Sequence, residues 1–337
     1  MKYKIVNLST SAASDPKSSV LIIYTGGTFG MALDDTGSLA PFNFSLVIDK
    51  IPELKAFDLR ITVISFPAPE DSSNINTKHW VDLGYIIYEN YSQYDGFVVL
   101  HGTDTMAFTA SALSFMLEGL NKPVILTGAQ IPIGFLRSDA RENLITALEI
   151  ASAKNEGKPI VNEVCVYFNY FLLRGNRSQK LRSSTFAAFE SENYPKLAEA
   201  GVFIEYNYAY LRPHNPEEKL NVRSEFDDNV AVVKLYPGIP RSVLEQIFST
   251  KGLRAVVADS KYVLQGMQEW MEGWKSRGWK RRSGGKLAPV KNDDLWTKLD
   301  VLIERHKVKY TRVKGHSGHP ENDRVDELAV EAYQQYK

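Results

Sequence analysis

The chain has few of the features that mark secreted or membrane proteins. It contains one cysteine in 337 residues, Cys165, which excludes an internal disulfide and favours a reducing compartment in which this thiol is a small buried residue. Residues 1–19 are polar and lack the apolar core of a signal peptide, and no later apolar run has the length of a membrane span. We therefore predict a cytoplasmic protein with no membrane partner.

The chain also lacks net charge, because 40 Lys and Arg balance 40 Asp and Glu. The two signs are unevenly distributed: residues 257–337 hold 16 cations and 12 acids, whereas the rest of the chain holds 24 and 28. Four of the five tryptophans also lie in this last part. Such a shift in composition predicts a change of domain character near residue 257, and the length itself favours two domains.

Short apolar runs, typical of buried strands, alternate with segments of helical spacing along most of the chain. The pattern predicts an α/β protein with a doubly wound, mostly parallel sheet in a domain over residues 1–212. Residues 213–228 are polar, contain two prolines and are predicted to be a linker. A smaller three-layer α/β domain is predicted over 229–337, in which 229–257 form a β-α-β unit and 258–337 the remainder.

Three loops that carry hydroxyl groups follow predicted strands in the first domain. They are Thr25-Gly-Gly-Thr28, Asp71-Ser-Ser-Asn74 and Thr103-Asp104. The carboxyl ends of parallel strands open on one edge of a sheet, so these loops can converge there. A threonine hydroxyl attacks a carbonyl only when a base takes its proton, and Lys180 is a candidate for that base. Taken singly, each motif is explained at least as well by a turn or a helix cap.

Together these segments resemble the bacterial asparaginase family, most closely the cytoplasmic type I enzymes, over about residues 20–257. The resemblance rests on Tyr24-Thr-Gly-Gly-Thr-Phe-Gly-Met31, Asp71-Ser-Ser-Asn74, His101-Gly-Thr-Asp-Thr-Met106, Thr127-Gly-Ala-Gln-Ile-Pro132 and Asn143-Leu144. It implies an amidohydrolase that converts L-asparagine to L-aspartate and ammonia without a metal or other cofactor. It also implies a homo-oligomer, either a dimer or a tetramer. Thr28 matches the nucleophile of the family.

Other positions match further parts of the family's site. Ser72 and Asp104 match residues that hold the α-carboxylate and α-amino groups of the substrate. Thr103, Asp104 and Lys180 match a second catalytic cluster. Backbone N–H groups near Thr103 and Ala129 are expected to stabilise the oxyanion that forms when the amide is attacked.

Two departures from the family bear on activity. Residues 30–41 are predicted to form a mobile loop on which the family carries a tyrosine, near Leu39 here, but this sequence has no tyrosine between Tyr24 and Lys50. The family's second domain also continues well beyond Val257, whereas the resemblance here ends after one β-α-β unit. We therefore expect impaired hydrolysis.

The last part of the chain resembles a different family, bacterial ribonuclease H type 1, over about residues 255–337. An apolar run at 253–258 predicts a buried strand, and Asp259 follows it, at the end of a strand where open α/β sheets place their chemistry. The matching segments are 259–266, Trp270, 274–280, 289–292, 294–296 and, most specifically, 313–329. The resemblance implies contact with RNA–DNA hybrids.

Asp259 and Asp326 are the candidate metal ligands of this part, because Mg²⁺ prefers carboxylates and water. The ribonuclease H family uses four acids around two metal ions, and the segments that would supply the other two are absent from this sequence. We therefore expect at most weak Mg²⁺ binding. His316 lies on a turn rich in Gly and Ser and is a candidate for moving a proton or releasing product. Apart from the resemblance, Asp326 is better explained as a residue on a solvated helix face.

Residues 274–291 contain cations, interleaved tryptophans and no acid. The cations are Lys275, Arg277, Lys280, Arg281, Arg282, Lys286 and Lys291, and the tryptophans are Trp274 and Trp279. Cations that track phosphates and rings that stack on bases are typical of nucleic-acid binding. The candidate contacts are Lys275, Lys280, Arg281 and Arg282, together with His316. The alternative is a solvated basic loop.

Three functions therefore remain open. The leading one is hydrolysis of L-asparagine. The second is a module that binds RNA–DNA hybrids or duplexes weakly, or a ribonuclease H-like nuclease with an incomplete metal site. The third is a folded chimera with neither activity. Ammonia release from asparagine separates the first from the others, and salt-dependent binding to a hybrid separates the second.

Overall fold

The structure is a computed structural model that describes residues 4–8, 16–33, 39–41, 51–233, 239–251, 255–257, 265–283, 286–290 and 293–304. The chain divides into two compact units, Met1–Phe226 and Asp227–Lys337. The sequence also predicts a strand at 308–313 and a helix at 323–336, and both lie outside the described residues.

A nine-stranded sheet forms the centre of the first unit. From one edge to the other its strands are Lys4–Leu8, Leu59–Glu70, Ser18–Gly26, Gly96–Leu100, Val124–Thr127, Val164–Phe168, Phe171–Arg174, Ala198–Ala200 and Ile204–Tyr206. The second to the sixth of these pair in parallel, and the pairings toward both edges are antiparallel. The predicted mostly parallel sheet is therefore confirmed.

The central strand Ser18–Gly26 shows why the sheet needs cover on both faces, because all of its residues are buried. Successive side chains of a strand point to opposite faces. Val20 and Ile22 accordingly enter one apolar cluster, and Leu21 and Ile23 enter the other. Such an uninterrupted apolar run is expected of a strand that is buried on both sides.

Among the described residues of the first unit, three helices cover these two faces. Ala140–Ser152 lies on the first face and packs through Leu144 and Leu148. Thr77–Asn90 and Met106–Met116 lie on the second face. The sequence predicts helices over 80–91, 107–117 and 143–153, and each begins one to three residues earlier in the structure. The alternation of strands with covering helices is confirmed.

Shorter elements complete the first unit. They are the 3₁₀ turns Thr28–Gly30, Pro52–Ala56, Ser72–Asn74 and Gly175–Arg177, the hairpins Met31–Leu33 with Leu39–Pro41, Lys154–Asn155 with Lys158–Pro159 and Gln179–Lys180 with Phe189–Glu190, and the pair Leu117–Glu118 with Asn221–Val222. The predicted loop at 30–41 thus begins and ends in paired strands, and the residues between those strands lie outside the described part.

The predicted linker at 213–228 differs from what the structure shows. Leu220 and Val222 pack against the apolar cluster on the second face of the sheet, and the Arg223 backbone N–H donates to the Met116 carbonyl at 2.9 Å. Leu220 and Val222 alternate with polar residues, and their packing holds the segment 213–228 against the first unit. The division at Phe226 therefore lies near the end of the predicted linker.

The second unit begins with the predicted β-α-β arrangement. Val230–Val232 pairs in parallel with Ala255–Val257, and helix Arg241–Ser249 lies between them in the chain. A π-helical turn, Gly266–Trp270, then continues into helix Met271–Lys275. An antiparallel hairpin, Lys280–Ser283 with Lys286–Pro289, and helix Asp293–Glu304 follow.

An apolar cluster rich in tryptophan lies in this unit. Met271, Trp274, Val290 and Trp296 are its buried members. The Trp296 ring packs directly against the backbone of Gly266, where a Cβ would lie 2.0 Å from the ring. Within the parts of the chain that the structure describes, no helix is long and apolar enough to cross a membrane.

Candidate active site

The three hydroxyl-bearing loops meet where the parallel strands of the nine-stranded sheet have their carboxyl ends. A Cβ built on Gly27 would lie 2.4 Å from the Gly102 Cα, and one built on Gly102 would lie 2.6 Å from the Ser72 Oγ. Only glycine permits backbones to approach so closely. Thr28 follows Gly27 and Thr103 follows Gly102, so the structure brings Thr28, Ser72 and Thr103 into one region, as the sequence predicts.

Thr28 lies at the end of the central strand, half-buried at the start of a 3₁₀ turn. Gly26 and Gly27 lead into this turn with φ of 129° and 81°, in the region that favours glycine. The Gly27 N–H donates to the Glu70 carbonyl at 3.0 Å. The turn that carries Thr28 is therefore tied by its backbone to the strand that leads to Ser72.

A hydrogen-bonded group that we call the Thr103 cluster consists of Thr103, Asp104, Gln130 and Lys180. The Lys180 Nζ donates to the Thr103 Oγ1 at 2.7 Å and to the Asp104 Oδ1 at 2.8 Å. Thr103 is buried, and the Lys180 side chain is 14 % exposed, whereas the Asp104 side chain is 64 % exposed. The structure thus joins the three residues that the resemblance groups, and it leaves part of the Asp104 carboxylate open to a ligand.

Gln130 is a member of this cluster that sequence reasoning missed. Its Oε1 lies 3.2 Å from the Thr103 Oγ1, and its Nε2 donates to the carbonyls of Ser183 and Thr185. The sequence pointed to Gln130 only through its position next to Ala129 in a matched motif. That position does not show that its side chain contacts Thr103. Gln130 links the threonine to the segment that follows Lys180.

The loop that carries Ala129 is held by Asp139. The carboxylate accepts the backbone N–H groups of Gln130 and Ile131 and the side-chain amide of Asn143, at 3.0 to 3.2 Å. Asn143 also donates to the Gly128 carbonyl at 3.0 Å. These bonds fix the backbone on both sides of Ala129, which is buried and is the predicted oxyanion donor.

A buried histidine lies directly behind Thr103. The His101 Nδ1 lies 2.7 Å from the Gly102 carbonyl, and its Nε2 lies 2.9 Å from the Thr109 Oγ1, which accepts the Trp80 indole N–H at 3.0 Å. A carbonyl only accepts, so Nδ1 carries the proton and Nε2 accepts from Thr109. Burial lowers the pKa of His101 from 6.5 to about 4, against the opposing effect of the Gly102 carbonyl and with a smaller contribution from His79.

The cations of residues 274–291 are not equivalent. The Lys275 Nζ lies 2.8 Å from Asp300, 3.6 Å from Glu304 and 3.8 Å from Glu272. These three carboxylates neutralise it, which weakens the prediction that it contacts nucleic acid. Lys280, Arg281 and Arg282 are exposed on the hairpin instead, in a position that a phosphate can reach.

The predicted stacking surface also needs correction. Trp274 is 8 % exposed and packs edge-on against Trp296 at 5.1 Å between ring centroids, so it is a core residue. Trp279 is half-buried against the same cluster. The bulk of a tryptophan buried on one helix face explains Trp274 better than base stacking does.

The predicted metal ligands Asp259 and Asp326, and His316 with them, lie outside the described residues. In the portion that the structure does describe, no group of three or more His, Cys, Asp or Glu side chains is arranged to hold a metal ion. Binding of Mg²⁺ to this part of the chain therefore stays a prediction.

Comparison with known proteins identifies the family to which the first unit is similar. The family described as Asparaginase, N-terminal matches residues 19–212, which is more than half of the chain. The chain belongs to the asparaginase family. It is 41% identical over 246 residues to L-asparaginase 1 of Escherichia coli (strain K12), and the match covers 72% of this chain and 71% of that protein.

Not every relative of this asparaginase-family chain carries the same activity in its name. It is also 41% identical over 271 residues to the 60 kDa lysophospholipase of Mus musculus, covering 74% of this chain but only 47% of that protein. The chain thus spans about half the length of that relative. The fold resembles that of L-asparaginase I from Vibrio cholerae, with a TM-score of 0.63 and 32% identity over 87% of this chain and 94% of that one.

The asparaginase-family chain carries a second match at its C-terminal end. The family described as RNase H matches residues 194–334. The chain is 63% identical over 79 residues to Ribonuclease H of Rhodopirellula baltica, which corresponds to 23% of this chain and 50% of that protein. Both predicted resemblances are therefore confirmed, and the chain combines an asparaginase-family region with a ribonuclease H region.

Proposed function

We propose that the chain hydrolyses the side-chain amide of L-asparagine to give L-aspartate and ammonia. The observation that carries this proposal is the Thr103 cluster, in which the Lys180 Nζ lies within 2.8 Å of both Thr103 and Asp104. The cluster lies at the edge of the sheet where Gly27 and Gly102 touch and where Thr28 begins its turn. An amidohydrolase needs a nucleophile, a proton-transfer group and a substrate-binding carboxylate in one place.

In this proposal the Thr28 hydroxyl attacks the amide carbon and gives up its proton to a base, for which Lys180 is the candidate. The C–N bond then breaks, that proton leaves on the nitrogen as ammonia, and water hydrolyses the ester to release L-aspartate and restore the Thr28 hydroxyl. Backbone N–H groups of Thr103 and Ala129 stabilise the oxyanion, since Asp139 and His101 hold the peptides around them. Preorganised donors of this kind contribute strongly because they need no rearrangement during the reaction.

Substrate recognition is assigned to Ser72 and Asp104. Asp104 keeps an exposed carboxylate beside Lys180, which suits an α-ammonium group. Ser72 is buried next to Gly102, with its carbonyl accepting the Thr105 hydroxyl at 2.7 Å. We assign the α-carboxylate of the substrate to this side of the site.

Ammonia release from asparagine tests the proposal. We expect Thr28→Ala, Thr103→Val and Lys180→Met each to abolish most of the activity, because residues that act as a unit are lost together. Thr250→Ala is the matched control, since Thr250 lies exposed in the second unit. Activity that survives Thr28→Ala would contradict the proposed nucleophile. We propose that no metal takes part, so loss of activity on treatment with EDTA would contradict that point.

We also propose that the hydrolase is a cytoplasmic homo-oligomer and that its activity is weak. The sequence of the second unit departs from the asparaginase family after Val257, where the family uses its second domain to complete a neighbouring subunit. Light scattering with and without asparagine measures the assembly. A monomer with full activity would contradict this part of the proposal. Parallel assays with asparagine and glutamine decide which amide is preferred.

Binding of nucleic acid is a second candidate function, favoured by the exposed cations of the hairpin, Lys280, Arg281 and Arg282. If about four cations engage phosphates, affinity should fall by about two orders of magnitude between roughly 50 and 200 mM salt. A labelled RNA–DNA hybrid titrated at the two salt concentrations measures this. Reversal of Arg281 and Arg282 to Glu should weaken binding, whereas Lys251→Glu, outside the hairpin, should not. If no hybrid binds even at low salt, this candidate function would be contradicted, and the hairpin would be only a solvated basic segment.

Cleavage of the hybrid is not expected. Asp259 and Asp326 are two of the four acids that the ribonuclease H family uses, and two ions about 4 Å apart need more carboxylates than these. Mg²⁺ would be held weakly by these two residues, where it would neutralise phosphate charge. Incubation of a labelled hybrid with Mg²⁺ tests this expectation. Cleavage that Asp326→Asn abolishes would show that another carboxylate completes the site.

A further inference from the structure

The direction of the Gln130 side-chain amide is settled by what surrounds it. One terminal atom lies 3.3 Å from the Ser183 carbonyl and 3.0 Å from the Thr185 carbonyl. Carbonyl oxygens only accept, so this atom is the NH₂ group and its two protons have two acceptors. The other terminal atom, 3.2 Å from the Thr103 Oγ1, is therefore the amide oxygen. A flipped amide would place an oxygen against two carbonyls.

This orientation fixes the direction of the Thr103 hydroxyl. The Gln130 Oε1 only accepts, so Thr103 has to donate its single proton to it. The Thr103 oxygen then accepts at its lone pairs, and the Lys180 Nζ at 2.7 Å is the donor. The bonds run one way, from Lys180 to Thr103, from Thr103 to Gln130, and from Gln130 to the two carbonyls.

We propose that Gln130 is a positioning residue for the amide hydrolysis proposed above: it holds the Thr103 hydroxyl proton away from Lys180 and so presents the threonine lone pairs to Lys180 and to the reacting groups. The proposal rests on that function only for its kinetic consequence. Without the Gln130 acceptor the Thr103 hydroxyl can turn its proton elsewhere, and its oxygen no longer presents a fixed lone pair to the Lys180 Nζ.

The amide is also fixed from behind. The Gln130 backbone N–H donates to both oxygens of Asp139 at 3.0 Å, and its side chain bridges to the segment that follows Lys180. A glutamine anchored at both ends has little freedom to release the hydroxyl, and hydrogen bonds in such a chain strengthen one another. Gln130 thus acts through Thr103 and needs no contact with substrate.

Kinetics of Gln130→Met provide the first test, because methionine is similar in length and has neither amide donor nor amide acceptor. We expect kcat for asparagine to fall about tenfold, the worth of one directed hydrogen bond, with KM changed less than about twofold. Gln93→Met makes the same exchange at an exposed position of the first unit and should change neither. An unchanged kcat in a folded Gln130→Met protein, or a loss confined to KM, would overturn the proposal.

Neutron diffraction from deuterated crystals of the full chain provides a test that needs no activity. We expect the deuterium on the Thr103 Oγ1 to point at the Gln130 Oε1, and both amide deuterons to point at the carbonyls of Ser183 and Thr185. A deuterium directed at Lys180, or a flipped amide, would overturn the proposal even with normal kinetics. A wild-type protein that releases no ammonia would instead contradict the proposed function, and the direction of the hydroxyl would still be decided.

Discussion

The buried His101 predicts that the first unit loses stability in mild acid. In the folded chain this imidazole accepts from Thr109 and donates to Gly102, and burial lowers its pKa to about 4. In the unfolded chain a histidine titrates near 6.5. Between these pH values His101 is protonated in the unfolded state but not in the folded state. The free energy of unfolding therefore falls as the pH falls from 6.5 to 4. Above pH 6.5 this contribution is complete.

The size of the effect follows from the two pKa values. A difference of about 2.5 pH units corresponds to about 3 kcal/mol, since each unit is worth about 1.4 kcal/mol. That is a large part of the stability of an ordinary domain, which is about 5–15 kcal/mol. Protonation has this cost mainly because burial keeps water from solvating the charged ring, and a proton on Nε2 also ends the hydrogen bond that this atom accepts from Thr109.

Comparison of wild type with His101→Asn isolates this group. Urea unfolding between pH 7 and pH 4, read by hydrogen exchange of peptides that cover residues 96–100, reports on the first unit alone. Asparagine can donate to the Gly102 carbonyl but does not titrate, so the variant should start less stable and lose about 3 kcal/mol less across this range. All other groups titrate in both proteins and cancel. Parallel pH profiles for the two proteins would refute the assignment of His101 as a neutral buried residue.

Three further predictions follow from the two units. Asp139→Ala should lower kcat for asparagine at least about tenfold, because the Gln130 N–H loses its half-buried carboxylate acceptor; ammonia release measures this, and an unchanged kcat would contradict it. Trp274→Ala should destabilise the second unit by about 3–5 kcal/mol in urea unfolding. If the variant instead loses hybrid affinity without losing stability, Trp274 stacks on a base and is not a core residue. Lys275→Ala should leave the salt dependence of hybrid binding unchanged, whereas Arg281→Ala should reduce its slope by about one, and equal effects would contradict the pairing of Lys275 with Asp300.

The parts of the fold that could be predicted are those that depend on local pattern. The run 96–100 is apolar throughout, and a strand buried on both faces needs such a run. The meeting of Thr28, Ser72 and Thr103 followed from parallel topology, because strand ends of one sense share an edge. The predicted starts of the helices were less accurate. The first turn after Asn76 contains no apolar residue, and the hydrogen bond from the Lys78 N–H to the Asn76 side chain is visible only in three dimensions.

The residues that position the site could not be predicted, because their partners are distant in sequence. Gln130 meets carbonyls more than fifty residues later, and Lys275 meets Asp300 across a hairpin. The composition of residues 274–291 indicates positive charge but not which cations pair with a carboxylate. Trp274 therefore has the same local pattern whether it stacks on a base or fills a core. Tertiary contacts alone decide between these functions.

The position of the Thr103 cluster also predicts which kinetic constant should account for the proposed weak activity. Among the described residues, all partners of this cluster, from Asp104 to Thr185, belong to the first unit. A second unit that departs from the asparaginase family leaves these hydrogen bonds in place, so we expect the defect in substrate binding rather than in the chemical step. Steady-state kinetics should then give a raised KM for asparagine with kcat retained. A low kcat with an ordinary KM would instead place the defect in the cluster itself, and the hydrogen bonds from Lys180 to Thr103 and Asp104 would not suffice for catalysis.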